Sequence, residues 1–527
     1  MSRFNFRSGR ALPVSFVAVL SLSAVATMAA HAQSTTGSFV GTVKDPTGSV
    51  IVNAKVTLSN VKTGRALVDT TNKAGQYELL NVEPGSYTID IEAPGFTRLT
   101  FTDLTLLSRE TRRADGILTV GAADTSVTVQ AAAAVINTDT PNIAQTREGI
   151  ELTTLPIAIS SIQGGSTSPY STLQTQAGVT QDSQGNLNVA GSTQAMLNVT
   201  VDGISTINAN SAAVAQEMFP SFNAIEEIRV SQNANAAEFG GTTDITTVSK
   251  GGNNNAHGQA FDNYQSKGFN SNSPFTPTTK ANLVLNDFGG FYGGPVRIPW
   301  LYNGKDKTFY FLSYEGLRRP NQSTAVLSVP TLAERNGDFS AFTKQLYHSD
   351  GITPWSGNQI PLSQWSSTSK YLMNTFYPLP NTGSVGQLAN NYTTNINTPI
   401  TSDQGDARFD HNFTSRQTAY VRYSYKQRSV QSALNSGLGT ISTPEKDTSL
   451  TGAYNYIITP YLLNEFRSGL SKYISASSFN SNSSIVTNAG IQGIPNLLPT
   501  SVAAEPGLTI TGLTTITGSS SIRSSNT

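Results

Sequence analysis

The sequence of 527 residues contains no cysteine. This absence excludes disulfides, thiolate metal sites, cysteine nucleophiles and a lipidated N-terminal cysteine. Charged side chains are also scarce, at 13% of the chain against roughly 25% in soluble domains. Because 34 basic residues balance 34 acidic ones, composition provides no basic surface for nucleic acid and no acidic tail. We therefore expect no nucleic acid among the partners.

Long apolar runs are missing as well, apart from one near the N-terminus. Basic residues at the start of the chain precede the run VSFVAVLSLSAVATMAA, which ends at Ala30-His31-Ala32. This order of basic, apolar and small residues predicts a secretory signal peptide over residues 1–32, cleaved after Ala32. A retained membrane anchor is the alternative, which Pro13 and the interspersed serines disfavour. After residue 32 there is no run of about 18 apolar residues, so the sequence predicts no transmembrane helix there.

Signatures of catalysis are absent too. The four histidines are scattered and form no H-E-x-x-H motif. The glycine-rich segment SKGGNNN lacks the residue order of a P-loop, and no G-x-S-x-G sequence occurs. Glu226 and Glu227 are adjacent carboxylates whose side chains point to different faces, so we expect a solvated helix end there instead of a catalytic pair. The prediction is a protein that is not an enzyme and that holds neither a metal nor a cofactor.

What the chain does contain is glycine, aromatic residues and short alternating segments. Residues 33–120 hold strand-like segments about ten residues apart, separated by glycine and proline turns such as Glu83-Pro84-Gly85. In SYTIDIEAPGF, the residues Tyr87, Ile89 and Ile91 share one side of a strand, which predicts one buried face and one wet face. These features predict an immunoglobulin-like β-sandwich.

Residues 121–136 form a transition from this domain to the next. The alternating segment TSVTVQ, Thr125–Gln130, is followed by small residues that favour a mobile linker. Short β-prone segments in linkers suit strand addition to the sheet edge of a partner. The other interpretation makes TSVTVQ the last strand of the preceding sandwich. Both interpretations fit the sequence equally well.

Residues 137–250 have the pattern of a mixed α/β domain. REGIELTTLP suits a short helix that ends near Leu155, because the residue before a proline disfavours helix. Asp202-Gly203 predicts a tight turn between two strands. Further on, SFNAIEEIRV predicts a short helical element followed by a strand that ends at Val230.

From residue 251 onward the pattern becomes strands and long polar loops. In QTAYVRYSYKQR, the residues Val421, Tyr423 and Tyr425 share one face, while arginine, serine and lysine occupy the other. Segments of about ten residues with one apolar face and tyrosines near the ends are what a lipid-facing barrel strand requires. A large soluble β-protein, such as a propeller or a sandwich, is the alternative.

Several characteristic segments follow one another in a fixed order. They are GTVKDPTGSVIVNAKVTL, VTVDGISTIN, NAIEEIRVSQNANAAEFGGTTDITTVSKGG, NDFGGFYGGPV, KDKTFYFLSYEGLRRP and RFDHNFTSRQTAYVRYSYK. In this order they resemble the Oar-like TonB-dependent outer-membrane receptors, which carry an N-terminal carboxypeptidase regulatory-like domain. The resemblance implies a mostly β chain. Its parts would be a signal peptide, an immunoglobulin-like β-sandwich, a mixed α/β plug domain over residues 137–250 and a partial antiparallel transmembrane β-barrel over residues 251–527.

The resemblance also implies roles for particular residues of the barrel and plug. The positions expected to face lipid are Tyr310, Leu312, Tyr314, Val421, Tyr423 and Tyr425. Phe309 and Phe311 would then lie on the lumen side, against the plug or a loop. Asp202 and Gly203 would form a structural turn of the plug.

The function that the resemblance implies is energised uptake across the outer membrane. An inner-membrane TonB-type energy transducer would pull on the segment that contains Thr125, Val127 and Val129. An unidentified ligand from outside, such as a siderophore, an oligosaccharide or a peptide, would then pass the plug. The N-terminal domain would be a carbohydrate-binding module or a folded spacer. The alternatives are an outer-membrane adhesion or glycan-binding protein without transport, or a truncated fragment that does not transport.

The sequence departs from the family pattern at two places. LPIAISSIQGG stands where the family has a run similar to LPLNGR, so the plug contacts of this segment do not follow from the resemblance. Residues 251–527 also provide only about half of a barrel of about 22 strands. We therefore expect an open sheet edge and an interrupted reading frame.

Overall fold

The structure, a computed structural model, describes the chain in separate ranges. The described residues are 34–121, 126–130, 143–154, 169–181, 187–193, 196–207, 214, 218–233, 243–269, 284–433, 440–459, 462–476, 478–479, 488–491, 508–515 and 524–526. The predicted signal peptide, Thr125 and the segment LPIAISSIQGG lie outside the described residues. Within them the chain is mostly β, as the sequence predicts, and forms three sheet assemblies.

The first assembly is the N-terminal module, residues 34–130. Its strands are β1 Gly37–Lys44, β2 Lys55–Asn60, β3 Ala66–Thr70, β4 Gln76–Val82, β5 Gly85–Glu92, β6 Arg98–Leu106, β7 Thr111–Arg113, β8 Gly116–Ile117 and β9 Ser126–Gln130. One sheet has the order β4-β1-β7, with β8 beside β1, and the other has the order β3-β2-β5-β6-β9. Alternate apolar residues such as Phe39, Val56 and Ile89 are fully buried between the two sheets. This arrangement is the predicted sandwich.

The segment over which the sequence left two interpretations is a strand of this module. Ser126–Gln130 pairs in parallel with β6, from Arg98 opposite Ser126 to Thr102 opposite Gln130. It is the last strand of its sheet. For these five residues the structure therefore has the strand interpretation, as the last strand of this sheet of the module.

The second assembly is a mixed sheet, called here the inner sheet, with the order β10-β15-β16-β13-β14. Its elements and neighbours are β10 Ile143–Glu148, helix α1 Gly149–Thr154, a 3-10 helix Pro169–Thr175, β11 Val179–Gln181, β12 Leu187–Val189, β13 Leu197–Val201, β14 Ile204–Ser205, a 3-10 helix Phe222–Ala224, β15 Ile225–Asn233 and β16 Thr243–Ser249. Strands β13 and β16 are parallel, and the other pairs are antiparallel. Valine, isoleucine and leucine side chains fill its core.

The third assembly is an antiparallel sheet, called here the outer sheet. Its strands are β17 His257–Ser266, β18 Val284–Pro295, β21 Thr308–Arg319, β24 Ile400–Thr414, β25 Gln417–Ala433, β26 Thr440–Thr459, β27 Leu462–Ala476, β28 Ser478–Phe479 and β29 Ser524–Asn526. The order is β17-β18-β21-β24-β25-β26-β27-β29, with β28 beside β26. Among the described residues its two end strands do not pair with each other, so the sheet is open.

The outer sheet alternates between an apolar face and a polar face. Exposed residues on the outward face include Leu312, Tyr314, Phe409, Val421, Tyr423, Leu450 and Leu470. The residues between them on β24 and β25, such as Asp406, Arg408, Arg422 and Lys426, are buried against the inner sheet. Within β18, Gly289 allows close strand approach, because a Cβ there would lie 2.1 Å from the Tyr314 carbonyl oxygen.

The remaining elements lie between outer-sheet strands. They are β19 Arg297–Ile298, β20 Tyr302–Asn303, β22 Gln322–Leu327, helix α2 Leu332–Arg335, 3-10 helices Ser356–Asn358 and Leu362–Gln364, helix α3 Ser367–Phe376 and β23 Tyr392–Asn397. Strands β22 and β23 form a two-stranded antiparallel sheet, and Leu327, Val329 and Tyr377 make a small buried cluster beside it. Residues 320–399, in the region where the sequence predicts strands and long polar loops, therefore form a folded subdomain.

One local prediction in the inner sheet is wrong. Glu226 and Glu227 lie within strand β15, because the preceding 3-10 helix is only three residues long and Ile225 and Ile228 favour a buried strand. The predicted short helix is present over Gly149–Thr154, and the residues before it pair with β15. None of the described helices is long and apolar enough to span a membrane.

Candidate functional site

The turn between β13 and β14 joins the inner sheet to the outer sheet. Asp202 and Gly203 have positive φ angles of 50° and 77°, so the chain reverses within two residues. Glycine suits the second position because other residues are strained at such angles. The reversal directs both the side chain and the carbonyl of Asp202 toward the outer sheet.

Three arginines of the outer sheet surround Asp202. Arg422 Nε donates to Asp202 Oδ2 at 2.6 Å, and Arg408 Nη1 lies 3.9 Å from Oδ1. Arg467 donates from Nη1 to the Asp202 carbonyl oxygen at 2.6 Å. The Asp202 and Arg422 side chains are each only 2% exposed. Because buried charges require partners, these groups fix one another's positions.

Ser249, the last residue of β16, completes the site. Its backbone N–H and its hydroxyl each donate to the Asp202 carboxylate at 2.9 Å, and its carbonyl accepts from Arg408 at 2.8 Å. Burial raises the pKa of Asp202, but the charges of Arg422 and Arg408 and the hydrogen bonds from Ser249 outweigh burial and hold the pKa below its ordinary value. Asp202 is therefore an anion at neutral pH.

A second set of contacts joins the two sheets farther along the strands. Asp406 accepts hydrogen bonds from the Ser424 hydroxyl at 2.6 Å and from the backbone N–H of Ser221 at 3.3 Å. Gln404 Nε2 donates to the Phe219 carbonyl at 2.9 Å. Apolar side chains contribute as well, since Leu285, Leu317 and Ile400 of the outer sheet belong to the same buried cluster as the inner-sheet core.

The sequence predicts Asp202 as a turn residue but does not predict its arginine partners. The available signal was an arginine on the polar side of each strand, in the segments ARF, VRY and FRS. Such a charge needs a counter-ion when the face is buried. The sequence does not specify which one, because Arg422 lies 220 residues from Asp202 along the chain.

The N-terminal module docks on the inner sheet through residues 107–110, called here the docking turn. The Ser108 backbone N–H donates to Glu227 Oε1 at 2.6 Å, and the Arg229 guanidinium donates to the Ser108 carbonyl. Arg109 forms an ion pair with Asp244 of β16. The Ser108 residue and the Asp244 side chain are fully buried, and the Arg109 side chain is 7% exposed. The docking turn is thus held by buried charges.

The charges of this interface perturb the titration of Glu227. Burial raises the pKa of Glu227 to about 7, although the hydrogen bonds from Ser108 and the charge of Arg229 act in the opposite direction. Burial also lowers the pKa of Arg229. Glu227, expected from sequence to be solvated, is therefore a buried carboxyl that titrates near neutral pH.

The other residues singled out from the sequence lie on exposed faces or in the sheet interior. Val127 and Val129 lie on β9 and are 45% and 39% exposed, while Thr125 lies outside the described residues. The six positions expected to face lipid all lie on the outward face; Leu312, Tyr314, Val421 and Tyr423 are exposed, and Tyr310 and Tyr425 are half-buried. Phe309 and Phe311 are 1% exposed, on the opposite face.

The acidic side chains of the site are engaged by protein donors and do not form a metal centre. Among the residues that the structure describes, no group of three or more histidine or carboxylate side chains comes close enough together to hold a metal ion. The buried carboxylates Asp202 and Asp244 are instead occupied by arginine and hydroxyl donors.

Comparison with known proteins places the chain in a family. Residues 248–527, just over half of the chain, match the family model described as an outer membrane beta barrel domain. The chain belongs to this family. Residues 38–119 match the model of the carboxypeptidase regulatory-like domain. This second match covers the sandwich of the N-terminal module.

Individual relatives match over part of their length. The TonB-dependent transporter Oar of Myxococcus xanthus is 26% identical over 301 residues, which cover 54% of this chain and 27% of Oar. The chain thus spans about a quarter of that curated relative. The outer membrane transporter YddB of Escherichia coli has a TM-score of 0.39 at 11% identity, with 64% of this chain and 40% of YddB covered. The ferric enterobactin receptor PfeA of Pseudomonas aeruginosa has a TM-score of 0.33 at 11% identity, with 64% of this chain and 46% of PfeA covered.

These findings confirm the resemblance and the location. The protein is a homologue of the Oar transporter that carries a carboxypeptidase regulatory-like domain. As a member of the outer membrane β-barrel family, it is located in the outer membrane.

Proposed function

We propose that the protein is a TonB-dependent receptor that acts in energised uptake of a ligand across the outer membrane. The observation that supports this most directly is the attachment of the inner sheet to the polar face of the outer sheet, with Asp202 held by Arg422, Arg408 and Arg467. In this proposal residues 137–250 are the plug and residues 251–527 form barrel wall. Polar contacts of this kind exchange for water when the plug is displaced, so they suit a closure that opens under force.

The partner in this proposal is an inner-membrane TonB-type energy transducer that binds Thr125–Gln130. The described part of this segment is an extended strand at a sheet edge, with Val127 and Val129 exposed. An extended segment with alternating β-branched residues suits strand addition. The outward face of the barrel wall, which includes Leu312, Tyr423 and Leu450, contacts outer-membrane lipid.

The ligand in this proposal is a siderophore, an oligosaccharide or a peptide that binds on the outside. The folded subdomain of residues 320–399 connects β21 to β24 and is the largest insertion between described neighbouring strands of the outer sheet. Binding residues are often found in such insertions on a rigid scaffold. No catalytic step and no cofactor are part of the proposal.

Comparison of spent culture media tests energised uptake while the ligand is still unidentified. Cells with the parent protein are expected to deplete one or more compounds from the medium, as measured by mass spectrometry, and a protonophore is expected to stop the depletion. Deleting residues 125–130 should stop it as well, because the transducer then has no segment to pull. Ligand binding at the cell surface should persist in this variant.

A matched control lies at the opposite edge of the same sheet. Val68 of β3 is 52% exposed and occupies an edge position comparable to that of Val127. Val127→Asp is expected to slow depletion strongly, while Val68→Asp leaves its rate unchanged. If the deletion variant depleted the medium as fast as the parent, the assignment of residues 125–130 would be contradicted. If the protonophore left depletion by the parent unchanged, energised uptake itself would be contradicted.

A further inference from the structure

The N-terminal module is connected to the inner sheet through the docking turn. Resting on the proposed function, we propose that the module transmits the pull of the energy transducer to the inner sheet, through β9, then β6, then the docking turn. In this mechanism β9 acts while it remains paired with the module. Ser108 and Arg109 are positioning residues that move the inner sheet.

The first connection is the pairing of β9 with β6. The two strands are parallel over five residue pairs, from Arg98 and Ser126 to Thr102 and Gln130. A displacement along β9 therefore loads all of these hydrogen bonds together. Strand β9 ends its sheet, and within the described residues its other edge has no neighbouring strand. A partner strand can add to that edge without removing β9 from β6.

The second connection is covalent and short. Strand β6 ends at Leu106, and the docking turn begins with the next residue. The turn is closed by two hydrogen bonds, from the Glu110 N–H to the Leu107 carbonyl at 3.2 Å and from the Leu107 N–H to Glu110 Oε2 at 2.8 Å. Arg109 has a φ angle of 58°, a left-handed conformation that a closed turn maintains. A movement of β6 therefore moves Ser108 and Arg109 directly.

The third connection joins the docking turn to three strands of the inner sheet. Ser108 is bonded to Glu227 and Arg229 of β15, and Arg109 pairs with Asp244 of β16. Asp244 also accepts a hydrogen bond from Asn198 Nδ2 of β13 at 2.5 Å. Because these groups are buried, the contacts are not weakened by solvent as surface ion pairs are.

The covalent route from β9 to the inner sheet is longer. Residues 131–142 separate Gln130 from Ile143 along the chain. The route through the docking turn needs only the pairing of β9 with β6 and the residues directly after Leu106, so it transmits a small displacement directly.

The absence of cysteine allows a labelling test in the full chain. Thr200 of β13 is 1% exposed, so a maleimide should label Thr200→Cys only when the inner sheet moves. The Thr200→Cys variant without further changes serves as the parent in this test. In cells grown in the medium used for the depletion assay, its labelling is expected to be several-fold higher than in protonophore-treated cells. Adding Arg109→Ala should reduce the labelling of Thr200→Cys to the level in protonophore-treated cells. In a separate variant with Val129→Cys and Arg109→Ala, the cysteine at position 129 should still cross-link to the transducer. Arg109→Lys should retain most of the energised labelling.

The control is an arginine of the same module that forms a surface ion pair. Arg113 and Asp115 lie 3.4 Å apart with side chains 38% and 54% exposed, so Arg113→Ala should label like the parent. Parental labelling in Arg109→Ala would overturn the proposal and leave the proposed function standing. Loss of the cross-link in Arg109→Ala would also overturn it, because the docking turn would then belong to the partner's binding site. Absence of both labelling and cross-link in the parent would refute the proposed function itself.

A second variant tests whether β9 remains on the module, and it does not depend on the folding of Arg109→Ala. Thr102 and Gln130 are paired residues, and the separation of paired strands is within the range that a disulfide bridges. Thr102→Cys with Gln130→Cys should form a disulfide that leaves energised labelling of Thr200→Cys unchanged. Loss of labelling at position 200, read on the peptide that carries this residue and restored there by reduction, would overturn the proposal, since it would show that β9 must leave β6.

Discussion

At the scale of single residues, Asp202 shows how a turn residue becomes the attachment point of a domain. Its position at a two-residue turn follows from the Asp-Gly sequence. Its charge is stabilised by Arg422 at 2.6 Å and by two hydrogen bonds from Ser249. The first property is local and could be predicted, whereas the second depends on strands far apart in the sequence and could not.

Replacing Asp202 with alanine should therefore weaken the structure strongly. The change leaves the buried Arg422 without its carboxylate partner, and breaking a buried pair costs about 3–5 kcal/mol. We expect a lower urea midpoint for the refolded protein in detergent micelles. Lys55→Ala, which removes an exposed ion pair with Glu92, should change stability by about 1 kcal/mol or less. Equal midpoints for the two variants would contradict the role assigned to Asp202.

Glu227 gives the docking turn a dependence on pH. Burial raises its pKa to about 7. Between the ordinary carboxyl pKa and pH 7, Glu227 is therefore protonated in the docked state and ionised in the undocked state. Docking should therefore be strongest at low pH and weaken as pH rises toward 7, by about 1.4 kcal/mol per unit within that window. Of the charged neighbours of Glu227, Arg229 opposes this rise in pKa and Glu226 adds to it.

Hydrogen exchange of the Ser108 amide measures this dependence, because that N–H donates to Glu227. After correction for intrinsic exchange, its protection should fall as the pH is raised from 5 toward 7, and Glu227→Gln should remove this change. Protection that is independent of pH in the parent would contradict the assignment.

At the scale of elements, the long strands of the outer sheet were the most predictable feature. In β25 apolar and polar residues alternate from Val421 to Lys426, so Val421 and Tyr423 share the exposed face while Arg422 and Ser424 share the buried one. The apolar band on this face extends from Ala419 to the polar Gln427. Eight residues span about 27 Å along a strand, which is about 20 Å of height at the usual tilt and close to the apolar band of outer-membrane barrels.

Leu450 lies at the middle of this band, where it is paired with Tyr423 and is 47% exposed. Leu450→Arg should destabilise the protein in lipid by roughly 2–4 kcal/mol, because the charge would lie near the bilayer midplane. Gln427→Arg, on the same face at the polar edge of the band, should cost roughly 0–1 kcal/mol. Reversible unfolding in lipid vesicles checks both values. A similar cost at the two positions would argue against lipid contact over this face.

Short elements were predicted less well, and the reason is tertiary. Ser126–Gln130 has the composition of a strand, but only pairing with β6 decides that it joins the module. Glu226 and Glu227 suggested a solvated helix end, yet strand pairing on both sides of β15 buries Glu227 against the module. In both cases a contact outside the local segment overrides local propensity.

At the scale of the whole molecule, the order of the units followed from the resemblance, while their contacts required the structure. The module has its own apolar core, which includes Phe39 and Ile89. The inner and outer sheets instead share one core, since Ile228 of β15 belongs to the same cluster as Leu317 and Ile400 of the outer sheet. Charged groups connect the module to the inner sheet, namely those of the docking turn and the ion pair between Lys62 and Glu226.

This distribution of cores predicts two unfolding units. Ile89 and Ile228 are both fully buried, and replacing either with alanine should cost about 2–5 kcal/mol in its own unit. In differential scanning calorimetry of the protein in micelles, Ile89→Ala should lower the transition of the module and leave the transition of the two sheets in place. Ile228→Ala should lower the transition of the two sheets and leave that of the module. If both variants shifted a single transition equally, the docking turn would couple all three assemblies into one cooperative unit, and the separation of cores would not govern stability.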